Sequence, residues 1–387
     1  MNNLKEGWET KKLGEICQIK TGKKDVNQGN PNGNYPFFTC AKEHTFSDTY
    51  SFDTEALLIA GNGDVGTVSF YKGKFEAYQR TYVLYDFKGV DAKFLFRVLD
   101  GTLKQVMSQN KLGNTMPYIK LGMLKEFPIP IPSLPEQQQI VSILDKCFAA
   151  INKAKANAEQ NLKNAKELFE SYLQKVFENG KGWEMRKLKD IALVFGRGKS
   201  KHRPRNWEGL YGGDYPFIQT GEIRNANKYV SEYRQTYNKV GLAQSKLWEK
   251  GTICITIAAN IAETAILGFD ACIPDSIIGL RVDSKKADLG FTYYLLQYFK
   301  DELQKLGKGS AQDNINLGTF ENQFFPFPKS IFEQQSIACK LDALRTETQK
   351  LEETHEKKIA SLDELKKSIL KEAFSGKFSA EASGVCL

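Results

Sequence analysis

The sequence has little that could hold a metal ion. Among its 387 residues are three dispersed histidines, and its seven cysteines include no C-x-x-C pair. Zinc sites and disulfide frameworks are built from cysteines and histidines at short, regular spacings. We therefore expect neither a metal ion nor another cofactor.

Long apolar segments are missing as well. No apolar run approaches the roughly 20 residues that a helix needs to cross a bilayer. The first residues include Lys5 and Glu6 but no apolar stretch of the kind found in signal peptides. A cytoplasmic protein is expected. With 41% hydrophobic residues, the chain can bury two cores of roughly 130 residues each.

What the sequence does contain is an internal repeat. Three segments of the first half return in the second: G-W-E at 7–9 and 182–184, Y-P-F at 35–37 and 215–217, and E-Q-Q-x-I at 136–140 and 333–337. A repeat this long indicates a duplicated domain and not a solenoid, whose repeats span a few tens of residues. An internal pseudo-two-fold axis is therefore expected.

Each half begins with a pattern typical of an α+β domain. Short β-rich runs separated by Gly and Asn alternate with helical stretches. The predicted strands include 56–60, 82–85, 252–257 and 277–282, and the predicted helices include 91–109 and 287–306. The fold class predicted from these patterns is α+β, with two homologous domains.

Proline-dense segments end both domains. Residues 127–132 (FPIPIP) and 325–328 (FPFP) hold too many prolines for a helix or a central strand, so extended segments are predicted. The S-x-x-E sequences that follow, at 133–136 and 330–333, match the capping box, in which the serine and the glutamate both satisfy free amides at a helix start. A long helix is predicted to begin at each of these points.

Heptad patterns follow both capping boxes and end at Gly180 and Gly376. The apolar positions are Ile140, Leu144, Cys147, Ile151, Ala154, Ala158, Ala165, Phe169, Tyr172 and Val176 in the first helix, and Ile337, Leu341, Leu344, Leu351, Leu362, Leu365 and Ile369 in the second. At 1.5 Å per residue, each helix is on the order of 60 Å long. We expect the two helices to pair as a coiled coil, which a two-fold axis makes antiparallel.

The net charge is a moderate +8, and basic residues cluster in glycine-rich loops. Basic residues flank Gly22 in the first half and follow Gly196 and Gly198 in the second: Lys20, Lys23, Lys24, Arg197, Lys199, Lys201, His202, Arg203 and Arg205. Their presence at matching places in both halves favours a nucleic acid as the partner.

In combination, these features resemble the specificity (S, HsdS) subunit of type I restriction-modification enzymes, and the resemblance covers almost the whole chain. It implies that each globular domain is a target-recognition domain that reads one half of a bipartite, asymmetric site in double-stranded DNA. It further implies that the long helices set the spacing and dock two methylation (M) subunits, and through them the restriction (R) subunits. A subunit of this kind is not itself an enzyme.

The domain limits follow from the repeat. We predict target-recognition domain 1 at 1–132, the first long helix at 133–180, target-recognition domain 2 at 181–329, the second long helix at 330–376 and a C-terminal tail at 377–387.

DNA contacts are predicted in corresponding loops of the two domains, where lysine and arginine can hold phosphates and polar side chains can read base edges. After the first strand of each domain stand Lys23, Lys24, Lys199, Lys201, Arg203 and Arg205. Between two later strands Gln79 and Arg80 align with Asp275 and Ser276, while Asn62 and Asn260 follow matching strands. The loops before the proline segments contribute Asn114, Thr115, Ser310 and Gln312.

Two alternatives fit parts of the sequence. Pro274-Asp275 with Asp283 and Lys285 resembles the carboxylates and lysine of metal-dependent nucleases, although the first half has Gln79 in place of the first carboxylate. The other alternative is a coiled-coil adaptor that binds only proteins. No Asn/Asp-Pro-Pro-Tyr motif is visible, so methyl transfer is expected to belong to a partner.

Overall fold

The chain folds as two compact units. The computed structural model describes residues 5–110, 118–202, 204, 206–258, 261–308 and 317–374. Unit 1 comprises Met1–Gln160 and His355–Leu387, and unit 2 comprises Asn161–Thr354. Each unit therefore contains one α+β domain together with a part of each long helix. No helix in the described ranges is both long enough and apolar enough to cross a membrane.

Domain 1 is built around a six-stranded sheet. Its strands are β1 (Glu9–Lys12), β2 (Gln18–Thr21), β3 (Tyr35–Phe38), β4 (Thr45–Ser47), β5 (Phe52–Ala60), β6 (Val68–Ala77), β7 (Thr81–Tyr85) and β8 (Pro128–Ile131). Its helices are α1 (Leu13–Ile16), α2 (Ala92–Asn110) and α3 (Leu121–Lys125). The sheet order is β2-β7-β5-β6-β3-β4, with β3 and β6 parallel, and β1 pairs with β8 in a separate two-stranded sheet.

Alternation along β5 explains how this sheet is covered. Leu57 and Ile59 face one side and join the core that α2 closes, whereas Ala56 and Leu58 face the other side and pack with Phe75. Because successive side chains of a strand point to opposite faces, a run that is apolar at every position predicts a strand buried on both sides. The predicted strand at 56–60 is confirmed.

Domain 2 divides its strands between two larger sheets. Its strands are β9 (Glu184–Lys187), β10 (Ala192–Arg197), β11 (Tyr211–Phe217), β12 (Tyr229–Val230), β13 (Gln235–Tyr237), β14 (Leu247–Trp248), β15 (Ile253–Thr256), β16 (Thr264–Leu267), β17 (Ala271–Cys272), β18 (Ile277–Val282) and β19 (Phe324–Phe327). Its helices are α5 (Thr220–Asn225), α6 (Lys239–Ala243), α7 (Leu289–Tyr298), α8 (Lys300–Lys308) and α9 (Leu317–Asn322). The sheet orders are β10-β18-β15-β16-β12 and β13-β11-β17-β14, and β9 pairs with β19.

The long helices are α4 (Leu134–Glu178) and α10 (Ile331–Phe374), close to their predicted limits. In unit 1 they run antiparallel, because Lys155 pairs with Asp363 at 2.7 Å while Lys366 lies 5.1 Å from the ring centre of Phe148. In unit 2 the guanidinium of Arg345 in α10 lies 4.9 Å from the ring centre of Phe169 in α4. The predicted antiparallel pairing is confirmed in unit 1.

The predicted seam is correct for most of α4, where only its end shifts from Tyr172 and Val176 to Leu173 and Phe177, and it is partly wrong for α10. In α4 the predicted positions Ile140, Leu144 and Phe169 are buried, but Leu351 and Leu365 of α10 are 45% and 44% exposed. Of the predicted positions in α10 Leu341 is buried, and α10 also buries Ala338, Thr348, Leu370, Ala373 and Phe374. A strict heptad assumes that a helix packs only on its partner helix. Each end of α10 also packs into the core of a globular domain, which widens the buried stripe and shifts it.

The proline segments are extended, as predicted, and they have a partner. Strands β8 and β19 pair antiparallel with β1 and β9, the strands that continue from the two G-W-E sequences. A two-stranded ribbon leaves one edge of each strand unpaired, so prolines that lack an N–H donor are tolerated there. In each half, the strand that continues from the G-W-E sequence is therefore hydrogen-bonded to the proline segment.

The start of each long helix corrects one prediction. Ser133 and Ser330 do accept hydrogen bonds from the backbone N–H groups of Glu136 and Glu333, both at 3.4 Å. The glutamate side chains do not complete a capping box. They accept hydrogen bonds from the indole N–H groups of the G-W-E tryptophans, with Trp8 at 3.2 Å from Glu136 and Trp183 at 3.3 Å from Glu333. The ammonium of Lys5 also bonds to Glu136, which lowers the pKa of that carboxyl.

The next residue of each E-Q-Q sequence is a fully buried glutamine. The side-chain oxygen of Gln137 accepts from the backbone N–H of Asp91 at 2.7 Å, and its amide N–H donates to Pro132 O at 2.9 Å. Gln334 makes the same two bonds, to Asp288 at 2.8 Å and Pro328 at 2.9 Å. One side chain thus ties the long helix to the end of the proline segment and to the segment that starts α2 or α7. We call the Trp–Glu and Gln contacts of each unit the helix–domain joint.

A further pair of contacts strengthens the attachment. Arg97 of α2 pairs with Asp145 of α4 at 2.7 Å. In unit 2 the corresponding aspartate, Asp342, accepts from the Tyr294 hydroxyl and pairs with Lys228. Burial, followed by the hydrogen bond to Asp342, raises the pKa of Tyr294, which therefore stays protonated as a donor.

We expect Gln137→Leu to destabilise unit 1 by about 1–3 kcal/mol for each backbone group, of Gly89, Asp91 and Pro132, that is left without a partner. Gln138→Leu is the matched control, because Gln138 is exposed on the same helical turn. Urea unfolding should show a lower midpoint for Gln137→Leu alone. Equal midpoints for the two variants would mean that the joint does not stabilise the fold.

Candidate nucleic-acid interface

In both domains, the loop after the first strand of the largest sheet packs against a turn that comes later in the chain. The first strands are β2 in domain 1 and β10 in domain 2. In domain 1 the backbone N–H of Gln79 donates to Lys24 O at 3.0 Å. In domain 2 the N–H of Gly198 donates to Ile277 O at 2.8 Å, and that of Lys199 donates to Ile273 O at 3.1 Å. The structure therefore brings the predicted loop residues next to Gln79 and Arg80 in one domain, and next to Asp275 and Ser276 in the other.

A glycine makes this close approach possible in each domain. A Cβ atom on Gly22 would lie 1.8 Å from Ala77 O, and one on Gly198 would lie 2.3 Å from the carbonyl oxygens of Ile273 and Pro274. Both distances are far inside van der Waals contact. Glycine is needed here for space, since neither residue has a positive φ angle.

The lysine after each glycine is available to a ligand. Lys23 and Lys199 occupy corresponding positions and both are exposed, as is Lys201. Within the described residues, none of the three ammonium groups has an acidic side chain at ion-pair distance. Unpaired surface cations at matching places in two domains suit a polyanion.

Lys24 is placed differently. Its ammonium donates to Ser47 at 2.7 Å and Thr49 at 2.6 Å, and lies 3.6 Å from the carboxylate of Glu76, which is fully buried. A buried carboxylate is strongly destabilising without such partners. Lys24 remains a predicted DNA contact, but its ammonium group already balances the charge of Glu76 inside the domain.

Other predicted residues lie around the same turns. Gln79 and Arg80 are exposed, and the Gln79 amide donates to Asp25 at 3.2 Å. The backbone carbonyl of Asp275 accepts from Arg197 at 2.8 Å. Asn62 is 9% exposed, and its backbone bridges to Tyr118, so it lies beneath the surface. The predictions for Asn114, Thr115, Arg203, Arg205, Asn260, Ser310 and Gln312 concern residues outside the described ranges.

Two features of this face were not predicted. The ring of His202 stacks on that of Trp207 at 4.7 Å with an interplanar angle of 17°, and Trp207 is 46% exposed. Trp207 stands in a basic, glycine-rich loop, so the sequence alone could have indicated an aromatic contact there. The second feature is Lys246, whose ammonium lies 3.8 Å from the ring centre of Trp248. No sequence motif connects Lys246 with the loop at Lys199.

The nuclease constellation does not assemble. Asp275 precedes β18 and Asp283 follows it, so a six-residue strand separates the two carboxylates. Such a strand spans roughly 20 Å. Carboxylates that share one metal ion must each approach it to about 2.0–2.6 Å, which this arrangement prevents.

Comparison with known proteins identifies the family to which the chain belongs. The family described as "Type I restriction modification DNA specificity domain" matches residues 5–161 and 180–361. The chain belongs to this family, whose members are the specificity subunits, and not the catalytic ones, of type I restriction-modification systems.

Two relatives match over nearly the whole length of both chains. The chain is 28% identical to the type I restriction enzyme EcoDI specificity subunit of Escherichia coli, over 97% of this chain and 89% of that one. It is 26% identical to the MjaVIII specificity subunit of Methanocaldococcus jannaschii, over 96% and 93%.

Solved structures share the fold. A chain from a study of complex assembly and conformational transition of the type I R-M system superposes with a TM-score of 0.79 at 19% identity, covering 98% of this chain and 100% of that one. The HsdS subunit of Thermoanaerobacter tengcongensis gives 0.59 at 18% identity, over 97% and 98%.

We expect Gly198→Ala to displace the loop at Lys199 and to destabilise domain 2 by about 1–3 kcal/mol, the usual range for overpacking. Gly196→Ala is the control two residues away, because a Cβ atom there would meet nothing within 4 Å. The melting temperature should fall for Gly198→Ala only. A similar melting temperature for both variants would show that the loop is not held by this close approach.

Proposed function

We propose that the chain recognises a bipartite, asymmetric site in double-stranded DNA, with one half-site read by each domain. The observation that carries the proposal is a repeated one. Each domain presents an exposed lysine, Lys23 or Lys199, on a loop seated on a second polar turn, and each is attached to a long helix by the same helix–domain joint. Two equivalent readers on rigid supports suit a divided target.

The geometry of DNA explains why rigidity matters. Base edges are accessible only on the groove face turned towards the protein, and major-groove faces recur after roughly 10 base pairs, or about 34 Å. Two readers can engage one duplex only if both their separation and their rotation about the DNA axis are fixed. Long paired helices meet this requirement better than a flexible linker does.

The residues that differ between the two domains would make the two half-sites different. At corresponding turns domain 1 carries Gln79, which can bond to adenine through two contacts, and domain 2 carries Asp275, which can only accept and so suits the amino group of cytosine. The lysines would bind phosphates and set the position of the DNA without reading its sequence.

The partners follow from the same role. Two methylation subunits, and through them the restriction subunits, would dock on the outer faces of α4 and α10 and on the adjoining domains. Three leucines support docking there, because Leu168, Leu351 and Leu365 are 44–50% exposed on these helices. The complex would act in the cytoplasm.

Replacement of residues 8–132 by the equivalent domain of a relative tests the proposal. With the cognate methylation subunit, sequencing of methylated DNA should show one half of the motif altered and the other half unchanged. Replacing residues 183–329 is the matched control and should alter the opposite half. Simultaneous change of both halves would contradict independent reading, and the absence of affinity for any duplex would favour the adaptor.

A further inference from the structure

Lys246 is held by the face of an aromatic ring. It stands just before β14, and its ammonium lies 3.8 Å from the ring centre of Trp248, which is 3% exposed. A buried indole is a fixed support, and a cation above its face is attracted by the ring electrons. The side chain therefore has a defined position without any carboxylate partner.

Hydrogen bonds fasten the segment that contains Lys246 to the loop of Lys199. The hydroxyl of Ser245 donates to Lys199 O at 2.9 Å. The backbone N–H of His202 donates to the side-chain oxygen of Gln244 at 3.0 Å. Lys199 and Lys246 are thus brought together although they lie far apart in the chain.

The two lysines form a site of uncompensated positive charge. Within the described part of the chain, neither ammonium has an acidic side chain at ion-pair distance. Burial lowers the pKa of Lys246, and the nearby charge of Lys199 lowers it further. An anion bound between the two ammonium groups would relieve this repulsion.

Domain 1 shows the contrasting case. There the ammonium of Lys24 is neutralised inside the domain by Glu76. In domain 2 the corresponding position is Ser200, which carries no charge. In domain 2 the cation next to this loop is Lys246, which is held by Trp248 and not by a carboxylate, so its charge is left for an external ligand.

We propose that Lys199 and Lys246 bind a backbone phosphate of the DNA beside the half-site read by domain 2. This inference rests on the proposed function and adds a specific contact to it. The contact would hold any sequence equally, because a phosphate carries no base information.

The test is binding of a duplex by the full chain in complex with its methylation subunits, between about 50 and 200 mM salt. Each phosphate contact contributes about 0.9 to the slope of log affinity against log salt. Because Lys199 stays at the same phosphate, Lys246→Gln should lower the slope by up to about 0.9, which at about 100 mM salt is a loss of up to roughly eightfold. Lys246→Arg should retain most of the wild-type slope. The matched control is Lys250→Gln, which removes the same charge from an exposed lysine on the same segment.

A second test requires no variant. Lysines are acetylated by a reagent that attacks free amines, and mass spectrometry then measures the extent of acetylation at each lysine. DNA should protect Lys199 and Lys246 and leave Lys250 reactive. Equal slopes for Lys246→Gln and Lys250→Gln, or unchanged acetylation of Lys246, would overturn the site while leaving the proposed function intact. Protection by about 10 mM inorganic phosphate as complete as that by DNA would also overturn it, because binding of a DNA phosphate is driven mainly by release of the counterions condensed on the duplex, which free phosphate lacks. If the wild-type complex binds no duplex, the proposed function itself fails.

Discussion

The buried glutamine at the start of each long helix is the constraint on which the rest of the structure depends. A buried amide must have both its donor and its acceptor satisfied, and Gln137 and Gln334 meet this need only when the helix, the proline segment and the domain hold one relative position. A small rotation of the domain would break at least one bond. The Trp–Glu bond beside it closes the same joint from the other side.

The helix–domain joint is repeated in both halves, but the loops of the two domains differ in sequence. The joint residues are the same in both halves, but at the later turn Gln79 of domain 1 is matched by Asp275 of domain 2. A common frame with different surface chemistry is what a protein needs if it is to present two different readers in one defined geometry. Under the proposed function, the distance between the readers then depends on the length of the paired helices.

The sequence predicted the larger features because they follow from local patterns. Apolar runs predicted β5 and β18, prolines predicted the extended segments, and the serines marked the helix starts. Long-range partners were harder to predict. The S-x-x-E pattern does not reveal that Glu136 prefers an indole distant in the chain, and a heptad template cannot anticipate that α10 also packs on two domains. Lys246 carried no signal, because its neighbour Lys199 is defined only by the fold.

The most direct measurement concerns the spacing of the two half-sites. Inserting seven residues near Asn161 keeps the heptad pattern and lengthens the helix by roughly 10 Å, about three base pairs of DNA. Inserting two residues turns the following helix by about 200° and should disrupt pairing instead. Sequencing of methylated DNA from cells that carry each variant should show a longer gap between half-sites for the seven-residue variant, or no activity. An active seven-residue variant that keeps the original gap would contradict the account, because the domains would then be positioned by something other than the helices.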